Sequence, residues 1–318
     1  MLNAKGLFYA CAGILCLAAA VLTPAASAQP PVFLLKWGTY GSGDGQFRTP
    51  QGVAVGGSGN VYVIDGDNNR VQVFTSAGAY IRQWSTPASW HDSRNIAVDV
   101  NDNVYVANVI ARRIYRFTST GTLITQWGSS GIGAGQFGYL FSLGVDTDGY
   151  VYAADSENHR IQVFSGMGDF IREWNVRDAG IGDLAVPDGV AVDALGNVYV
   201  AEPLSDRIQK FTRVGAYVTQ WGSVGYPVRV AVGPDNNVYV VDNANSQIQV
   251  FASSGAYTTQ WGTYGTGSGQ FDNPIGIAVD ASGCTYVADT NNSRIQKFGY
   301  LPTPTVRSTW GRIKAAYR

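Results

Sequence analysis

The side chains that most often carry catalysis are scarce in this 318-residue chain. It has 2 histidines, His91 and His159, and 3 cysteines, of which Cys11 and Cys16 lie in an apolar amino-terminal run. Zinc enzymes need several convergent His, Cys, Asp or Glu ligands, and a nucleophilic triad needs a histidine beside its Ser or Cys. The spacing of the histidines and cysteines in this sequence fits neither a zinc site nor a catalytic triad. We therefore expect no catalytic residue, no metal and no cofactor.

Arginines beside aromatic residues offer a different chemistry, which is recognition. They occur in STPASWHDSR (85–94) and SVGYPVR (223–229). The residues concerned are Trp90, His91, Arg94, Tyr226 and Arg229. A planar guanidinium next to aromatic rings suits an anionic ligand, a carbohydrate or an acidic peptide. The alternative is that both arginines are solvated or paired with Asp92 and Asp188, an arrangement that contributes little.

A second polar pattern, Asp-x-x-Asn-x-Arg, occurs three times. Its acid and base are Asp65 and Arg70, Asp155 and Arg160, and Asp289 and Arg294. A ligand site seldom comes in several copies per molecule, whereas a loop pinned at both ends needs internal hydrogen bonds. We expect each aspartate to pair with its arginine and to serve the structure.

A glycine-rich segment also recurs, as WGTYGSGDGQF (37–47), WGSSGIGAGQF (127–137) and WGTYGTGSGQF (261–271). A phosphate-binding loop would need a helix after it and usually a Lys-Ser/Thr pair, and neither follows. We interpret the segment as a joint between strands. Similarly, Asp146-Thr147-Asp148-Gly149 resembles the start of a calcium loop, but it lacks the later acids and fits a hairpin turn.

All of these residues belong to a long-period repeat. One phenylalanine marks each unit, at positions 74, 117, 164, 211, 251 and 298, and a tryptophan follows ten residues later in five cases. Three β-rich runs end on the phenylalanine and a fourth run follows it, as in residues 52–55, 60–65, 70–74 and 79–84. The chain therefore contains six units of four antiparallel strands.

The two ends of the repeat region predict a closed ring. Residues 32–37, VFLLKW, match a fourth strand without its first three, whereas the last unit stops at Phe298 without a fourth strand. Joining the two completes the sixth unit and hides two open strand edges. In such a ring the second and fifth units face each other. Arg94 and Arg229 then border the channel mouth, near Phe141 and Asp188.

Three phrases carry a resemblance to a known family. Residues 49–74, TPQGVAVGGSGNVYVIDGDNNRVQVF, resemble an NHL repeat, as do residues 187–211 and 273–298. The resemblance implies an all-β, six-bladed β-propeller of four-stranded blades. Propellers of this kind serve as binding platforms, as sensor ectodomains and occasionally as enzymes, so the fold alone does not set the activity.

The ends of the chain differ from the repeat region in composition. Residues 1–28 have the layout of a secretory signal peptide, 29–300 form the propeller, 301–307 a Pro/Thr linker and 308–318 a basic amphipathic tail. We expect a secreted protein, periplasmic or extracellular, without a membrane span. The tail could dock to a sorting or assembly partner. The formal net charge of −1 argues against nucleic acid as a partner.

Two functions remain open at this point. The first is a non-catalytic binding or scaffold propeller that recognises a protein, peptide or glycan on the face formed by the irregular loops. The second is a lactonase-like hydrolase or lyase with a metal-assisted site at the channel mouth. The few possible metal ligands favour the first.

Overall fold

The structure, a computed structural model, describes residues 29–85, 93–175, 186–222 and 224–300, with the side chains of Ser93 and Arg94 outside that description. In these ranges the chain forms six four-stranded antiparallel sheets, the blades of a β-propeller. They contain no α-helix, and the helical pieces described are 3-10 turns at Gly66–Asn68 and Pro203–Ser205. The predicted fold class is confirmed.

The blades are numbered here in chain order, and each begins at the central axis. The innermost strands are β2 (Pro50–Val55), β6 (Ser93–Val98), β12 (Leu140–Val145), β16 (Gly189–Val192), β20 (Pro227–Val232) and β24 (Pro274–Val279). The second strands are β3 (Val61–Asp65), β7 (Val104–Asn108), β13 (Val151–Asp155), β17 (Val198–Glu202), β21 (Val238–Asp242) and β25 (Thr285–Asp289).

The outer half of each blade follows the same order. The third strands are β4 (Arg70–Phe74), β8 (Arg113–Phe117), β14 (Arg160–Phe164), β18 (Arg207–Phe211), β22 (Gln247–Phe251) and β26 (Arg294–Gly299). The outermost strands are β5 (Tyr80–Ser85), β9 (Leu123–Trp127), β15 (Phe170–Asn175), β19 (Tyr217–Gly222), β23 (Tyr257–Trp261) and, for blade 6, β1 (Val32–Trp37). A two-residue parallel pair, β10 (Ser129–Ser130) and β11 (Gln136–Phe137), lies between blades 2 and 3.

The amino-terminal strand closes the ring. β1 pairs antiparallel with β26, with Phe33 opposite Phe298 and Trp37 opposite Ile295. The Trp37 ring also lies 5.7 Å from the ring of Phe74, which belongs to blade 1. β1 therefore completes blade 6 and packs against its neighbour, as the sequence predicts.

The core lies between the blades. In β3 and β4 every residue is buried, because each face of a blade packs against an adjacent blade. One such core cluster joins Phe47, Val63 and Phe74 of blade 1 to Tyr286 and Ile295 of blade 6. Each large apolar side chain buried in this way contributes about 1.5–3 kcal/mol. Most of the stability therefore comes from contacts between blades.

Two faces of the wheel result from this topology. The turns between first and second strands lie on one face, which we call the turn face. Gly59, Gly196 and Asn236 supply the positive φ angles that these turns require, at 80°, 84° and 60°. The connections between blades and the loops between second and third strands lie on the other, which we call the crossing face.

The axis of the wheel is a narrow channel with both apolar and polar lining residues, the latter including Asn95 and Arg229. The innermost strands leave a central cavity of about 190 Å³. Six valines at equivalent positions line it: Val55, Val98, Val145, Val192, Val232 and Val279.

Across the described ranges, no helix has the length and apolar character needed to cross a bilayer.

Candidate functional site

The repeated aspartate–arginine pair anchors the glycine-rich crossing that precedes its blade. In blade 1, Arg70 Nε donates a 2.8 Å hydrogen bond to Asp65 Oδ2, and both side chains are buried. The terminal guanidinium nitrogens donate to the carbonyls of Ser42 (2.8 Å), Gly43 (2.8 Å) and Gln46 (2.7 Å). The carbonyls that could bind a cation or a ligand are thus used inside the blade.

Blades 3 and 6 repeat this arrangement. The arginine–aspartate distance is 2.8 Å for Arg160–Asp155 and 2.6 Å for Arg294–Asp289. The crossing carbonyls bound by these arginines are those of Ile132, Gly133 and Gln136 in blade 3 and of Thr266, Gly267 and Gln270 in blade 6. The glycine-rich segments are structural joints, as interpreted from the sequence.

The other blades depart from this cluster. In blade 5, Gln247 replaces the arginine and donates to Asp242 Oδ2 at 2.8 Å. In blade 4, Glu202 replaces the aspartate. Burial raises the pKa of the Glu202 carboxyl, while hydrogen bonds from Arg207 and Gln209 oppose that shift. The acid of the pair therefore differs in blade 4, and the base differs in blade 5.

A cavity lies at the crossing-face mouth of the channel, and we call it the mouth cavity. Its volume is about 270 Å³. It is lined by side chains from blades 1, 4, 5 and 6. Its polar members are Gln51, Asp188, Tyr226, Arg229, Asn243 and Asn273. Half of them are carboxamides, and the others are one acid, one base and one phenol.

Arg229 spans the mouth and is 4 % exposed. Its Nη1 donates to Asp188 Oδ1 at 2.8 Å and to the Val228 carbonyl at 2.7 Å, and its Nη2 donates to the Phe141 carbonyl at 3.0 Å. These bonds join blades 3, 4 and 5. Since Asp188 neutralises the guanidinium, Arg229 is not a free cation. This is the paired alternative considered from the sequence.

Arg229 occupies a position that is glycine in three other blades, at Gly52, Gly189 and Gly276. A Cβ at Gly276 would meet the Gln51 carbonyl at 2.3 Å, because the inner strands approach closely there. In blade 5 the same position carries a long side chain that reaches Asp188 and the Phe141 carbonyl.

Two buried polar atoms of the mouth cavity have no hydrogen-bond partner among the described residues. They are Arg229 Nε and Gln51 Oε1. A buried polar group without a partner costs about 1–3 kcal/mol. The fold tolerates this cost at the mouth of the channel, where a bound molecule could supply the missing bonds.

Neighbouring blades are also latched together at this face. Asn243 Nδ2 donates to Asn273 Oδ1 at 2.8 Å and to the Pro274 carbonyl at 2.9 Å. Two equivalent residues act in the same way. Ser156 Oγ donates to the Pro187 carbonyl and Thr290 Oγ1 donates to the Pro50 carbonyl. We did not predict these latches. Their signal is a polar residue directly after the buried acid of the second strand.

An aromatic pair flanks the arginine. Tyr139 and Phe141 stack with ring centroids 5.9 Å apart and an interplanar angle of 5°. Tyr139 is 46 % exposed, and the guanidinium carbon of Arg112 lies 5.8 Å from its ring centroid. Tyr139 and Tyr226 are therefore both exposed, and Tyr226 lines the mouth cavity.

The predicted binding residues fall into two groups. Asp188, Tyr226 and Arg229 line the mouth cavity, and Phe141 contributes the carbonyl that Arg229 Nη2 binds. Trp90 and His91 lie outside the described residues, and for Arg94 only its place in β6 is described. Their share in a site stays a prediction. Gln51, Asn243 and Asn273 were missed.

The turn-face mouth is built differently, from one repeated contact. In blade 3, Asp146 Oδ1 accepts from the amides of Asp148 (3.0 Å) and Tyr150 (2.9 Å), and Asp146 Oδ2 accepts from Tyr152 Oη at 3.1 Å. Asp148 also contacts Arg213. The motif that resembles a calcium loop is therefore a hairpin turn whose carboxylate is already satisfied.

The same contact shifts the pKa values of its members. Burial raises the pKa of Tyr105 to about 12, with Arg116 opposing the shift and Asp99 adding to it. At Asp280, burial favours the neutral acid. Nevertheless, hydrogen bonds from Ser282, Cys284 and Tyr286 outweigh burial and lower the pKa. These shifts belong to hairpin turns, so they do not mark a catalytic group.

Metal chemistry has little support from the described side chains. No group of three or more His, Cys, Asp or Glu in that part of the chain could hold a metal ion. Cys284 is partly buried and not in a disulfide. The arrangement at the crossing face is instead suited to holding a ligand by hydrogen bonds and aromatic contacts.

Comparison with known proteins supports the repeat and the fold. A model of the NHL repeat matches residues 47–74, 142–164, 225–251 and 271–298, which lie in blades 1, 3, 5 and 6. The B-box type zinc finger protein ncl-1 of Caenorhabditis elegans is 42% identical over 52 residues. That segment is 16% of this chain and 6% of that protein, so the chain matches only a small part of its relative.

Solved structures resemble the whole wheel. Virginiamycin B lyase from Staphylococcus aureus has a TM-score of 0.58 at 16% identity, over 78% of this chain and 80% of that chain. A streptogramin B lyase has a TM-score of 0.60 at 14% identity, over 79% of this chain and 93% of that chain. A protein of unknown function from Bacteroides thetaiotaomicron has a TM-score of 0.65 at 17% identity, over 83% of this chain and 74% of that chain. At these identities the likeness concerns the fold alone.

Proposed function

We propose that this chain, a six-bladed β-propeller with NHL repeats, is a non-catalytic binding module whose ligand docks on the crossing face. The supporting observation is the mouth cavity, where Arg229 Nε and Gln51 Oε1 are buried without a partner among the described residues. Elsewhere on the crossing face the repeated joints use their own polar groups. Unused hydrogen-bonding capacity in a concave site is typical of ligand binding.

The ligand classes compatible with this site are a protein, a peptide or a glycan. Polar groups and exposed aromatic rings lie side by side around the mouth, which suits all three. We further propose that the protein acts outside the cytoplasm, since residues 1–28 have the layout of a secretory signal. Amino-terminal sequencing of protein recovered from the periplasm or medium tests this. A mature chain that begins near residue 29 is expected.

Binding to the mouth is tested with probes of each class. The full chain is titrated by calorimetry with a set of neutral monosaccharides and with a library of short peptides, using the wild type and Tyr226→Ala. Tyr264→Ala is the matched control, because Tyr264 is 72% exposed on a crossing and does not line the mouth cavity. We expect at least one class to bind, with a loss in Tyr226→Ala only. Equal binding by all three proteins would contradict the proposal.

A propeller lyase or hydrolase is the competing function, suggested by the likeness to two lyases. Such an enzyme would need a metal-assisted site at the mouth. Titration with calcium and with zinc separates the two functions. One-to-one binding of either ion that is lost in Asp188→Asn would favour the enzyme, and absence of that binding favours the binding module.

A further inference from the structure

The mouth cavity carries no net charge from its described ionic side chains. Arg229 and Asp188 both line it, and they neutralise each other through a 2.8 Å ion pair. Arg229 also donates to the carbonyls of Val228 and Phe141, so its terminal nitrogens are engaged. A carboxylate or phosphate ligand would have to compete with Asp188 for the guanidinium. The geometry therefore favours a neutral ligand over an anion.

The hydrogen-bonding groups that remain are mixed donors and acceptors. Gln51 Oε1 is an acceptor and Arg229 Nε a donor, and neither has a partner in the described part of the chain. Asn243 Nδ2 uses both of its hydrogens on Asn273 and Pro274, which leaves Oδ1 as its remaining group. Tyr226 adds a phenol that can donate or accept. Such alternation matches hydroxyl groups, each of which donates and accepts.

An aromatic face is also available to a ligand in the cavity. Tyr226 lines the cavity and is 41 % exposed. The C–H face of a pyranose ring packs against an aromatic ring while its hydroxyls point to polar side chains. A peptide that added to a strand edge would have to pair with an innermost strand. Each innermost strand is an edge strand of its blade, but its free edge faces the narrow axis of the wheel.

The size of the cavity limits the ligand to a small one. At about 270 Å³ it lies just below the roughly 300–1,000 Å³ typical of sites for drug-sized molecules. It can hold one ring of a glycan, while the rest of the chain would extend over the crossing face. Such a site would recognise the terminal sugar residue of a glycan.

We propose that the mouth cavity binds a single neutral pyranose, the terminal residue of a glycan, through Gln51, Arg229, Asn243 and Tyr226. This deepens the proposed function and rests on it. A lone sugar ring offers few atoms for contact, so we expect a dissociation constant of roughly 1–10 mM. Affinity for a whole glycan would gain from further contacts on the crossing face.

The test is saturation-transfer NMR on the full chain. The probes are the methyl glycosides of glucose, galactose, mannose and N-acetylglucosamine, with glucuronic acid as the charged counterpart. We expect at least one neutral glycoside to bind, and its affinity to fall tenfold or more in Gln51→Leu and in Tyr226→Ala. Tyr264→Ala, changed at an exposed tyrosine outside the cavity, should bind as the wild type does.

Three results would overturn the inference: no binding of any neutral glycoside, tighter binding of glucuronic acid, or unchanged affinity in both cavity variants. Thermal melts recorded beside the titrations show whether each variant is folded. If peptides bind in a Tyr226-dependent way and glycosides do not, the sugar inference fails and the proposed function stands. If neither class binds at the mouth, both fail.

Discussion

The two mouths of the central channel are formed by the same six inner strands, yet they are built in opposite ways. At the turn face, one contact between an aspartate and a tyrosine recurs, as in Asp146 with Tyr152 and Asp280 with Tyr286. At the crossing face, equivalent positions hold glycine, asparagine, serine or arginine. The repeated aspartate of the turn face has its carboxylate satisfied within its own hairpin. At the crossing face, Gln51 Oε1 and Arg229 Nε are buried without a partner among the described residues.

Removal of the closing strand should have the largest effect, because both mouths exist only in a closed ring. Deleting residues 29–38 removes β1, its pairing with β26 and the packing of Trp37 on Phe74. Several kcal/mol are lost, and at roughly 2–4 °C per kcal/mol the Tm should fall by about 10 °C or more. Differential scanning calorimetry measures this. A Tm within 2 °C of wild type, roughly the change expected from less than 1 kcal/mol, would reject ring closure by β1.

Disrupting a joint of the crossing face should cause the next largest loss in the free energy of unfolding. Arg70→Ala leaves Asp65 buried without its ionic partner and frees the Ser42 and Gly43 carbonyls, whereas the Gln46 carbonyl keeps its bond from Gln72. Breaking a buried pair in this way costs about 3–5 kcal/mol. The matched control is Gln247→Ala in blade 5, where a neutral amide donates to Asp242 and the cost should be about 1 kcal/mol. Urea unfolding compares the two, and equal losses would show that regular and irregular blades do not differ in this respect.

The turn face permits a finer comparison of two buried tyrosines. Tyr152 Oη donates to Asp146, whereas Tyr62 Oη is buried without a partner among the described residues, because Gly56 replaces the aspartate in blade 1. Tyr152→Phe should lower the free energy of unfolding by about 1 kcal/mol. Tyr62→Phe should leave it unchanged or raise it. Chemical denaturation measures both, and a larger loss for Tyr62→Phe would refute this reading of the hairpins.

The smallest expected effect is on pH dependence. Because the pKa of Asp280 is lowered in the folded protein, its ionisation stabilises the fold above the unfolded pKa, which is about 4. That stabilisation is lost as the pH falls through the folded pKa. Asp280→Asn should therefore show a shallower fall in Tm below about pH 4 than the wild type. An equally steep fall of Tm with decreasing pH in the two proteins would contradict this expectation.

Much of the fold was predictable because the same sequence pattern recurs once for each blade. The marker phenylalanines gave the number of blades, and VFLLKW at residues 32–37 identified the closing strand, since it lacks the three strands that precede it elsewhere. The pairing of Asp65 with Arg70 was also predictable, because both lie in one loop of one blade.

The mouth cavity was harder to predict because its contacts join blades that are not neighbours in the repeat. Arg229 of blade 5 binds the Phe141 carbonyl of blade 3, and only the closed ring brings the two together. The sequence marked Arg229 as unusual but could not show that Asp188 neutralises it. Gln51 gave no signal, because blade 1 otherwise follows the repeat.

Hydrogen–deuterium exchange tests the contrast between the two mouths most directly. The full chain is compared with and without a saturating concentration of the methyl glycoside that binds most tightly. We expect slower exchange of amides at the crossing face, around residue 51 and at 226–229, and unchanged exchange at the turn of 146–150. Protection at the turn face, with no change around the mouth cavity, would contradict it.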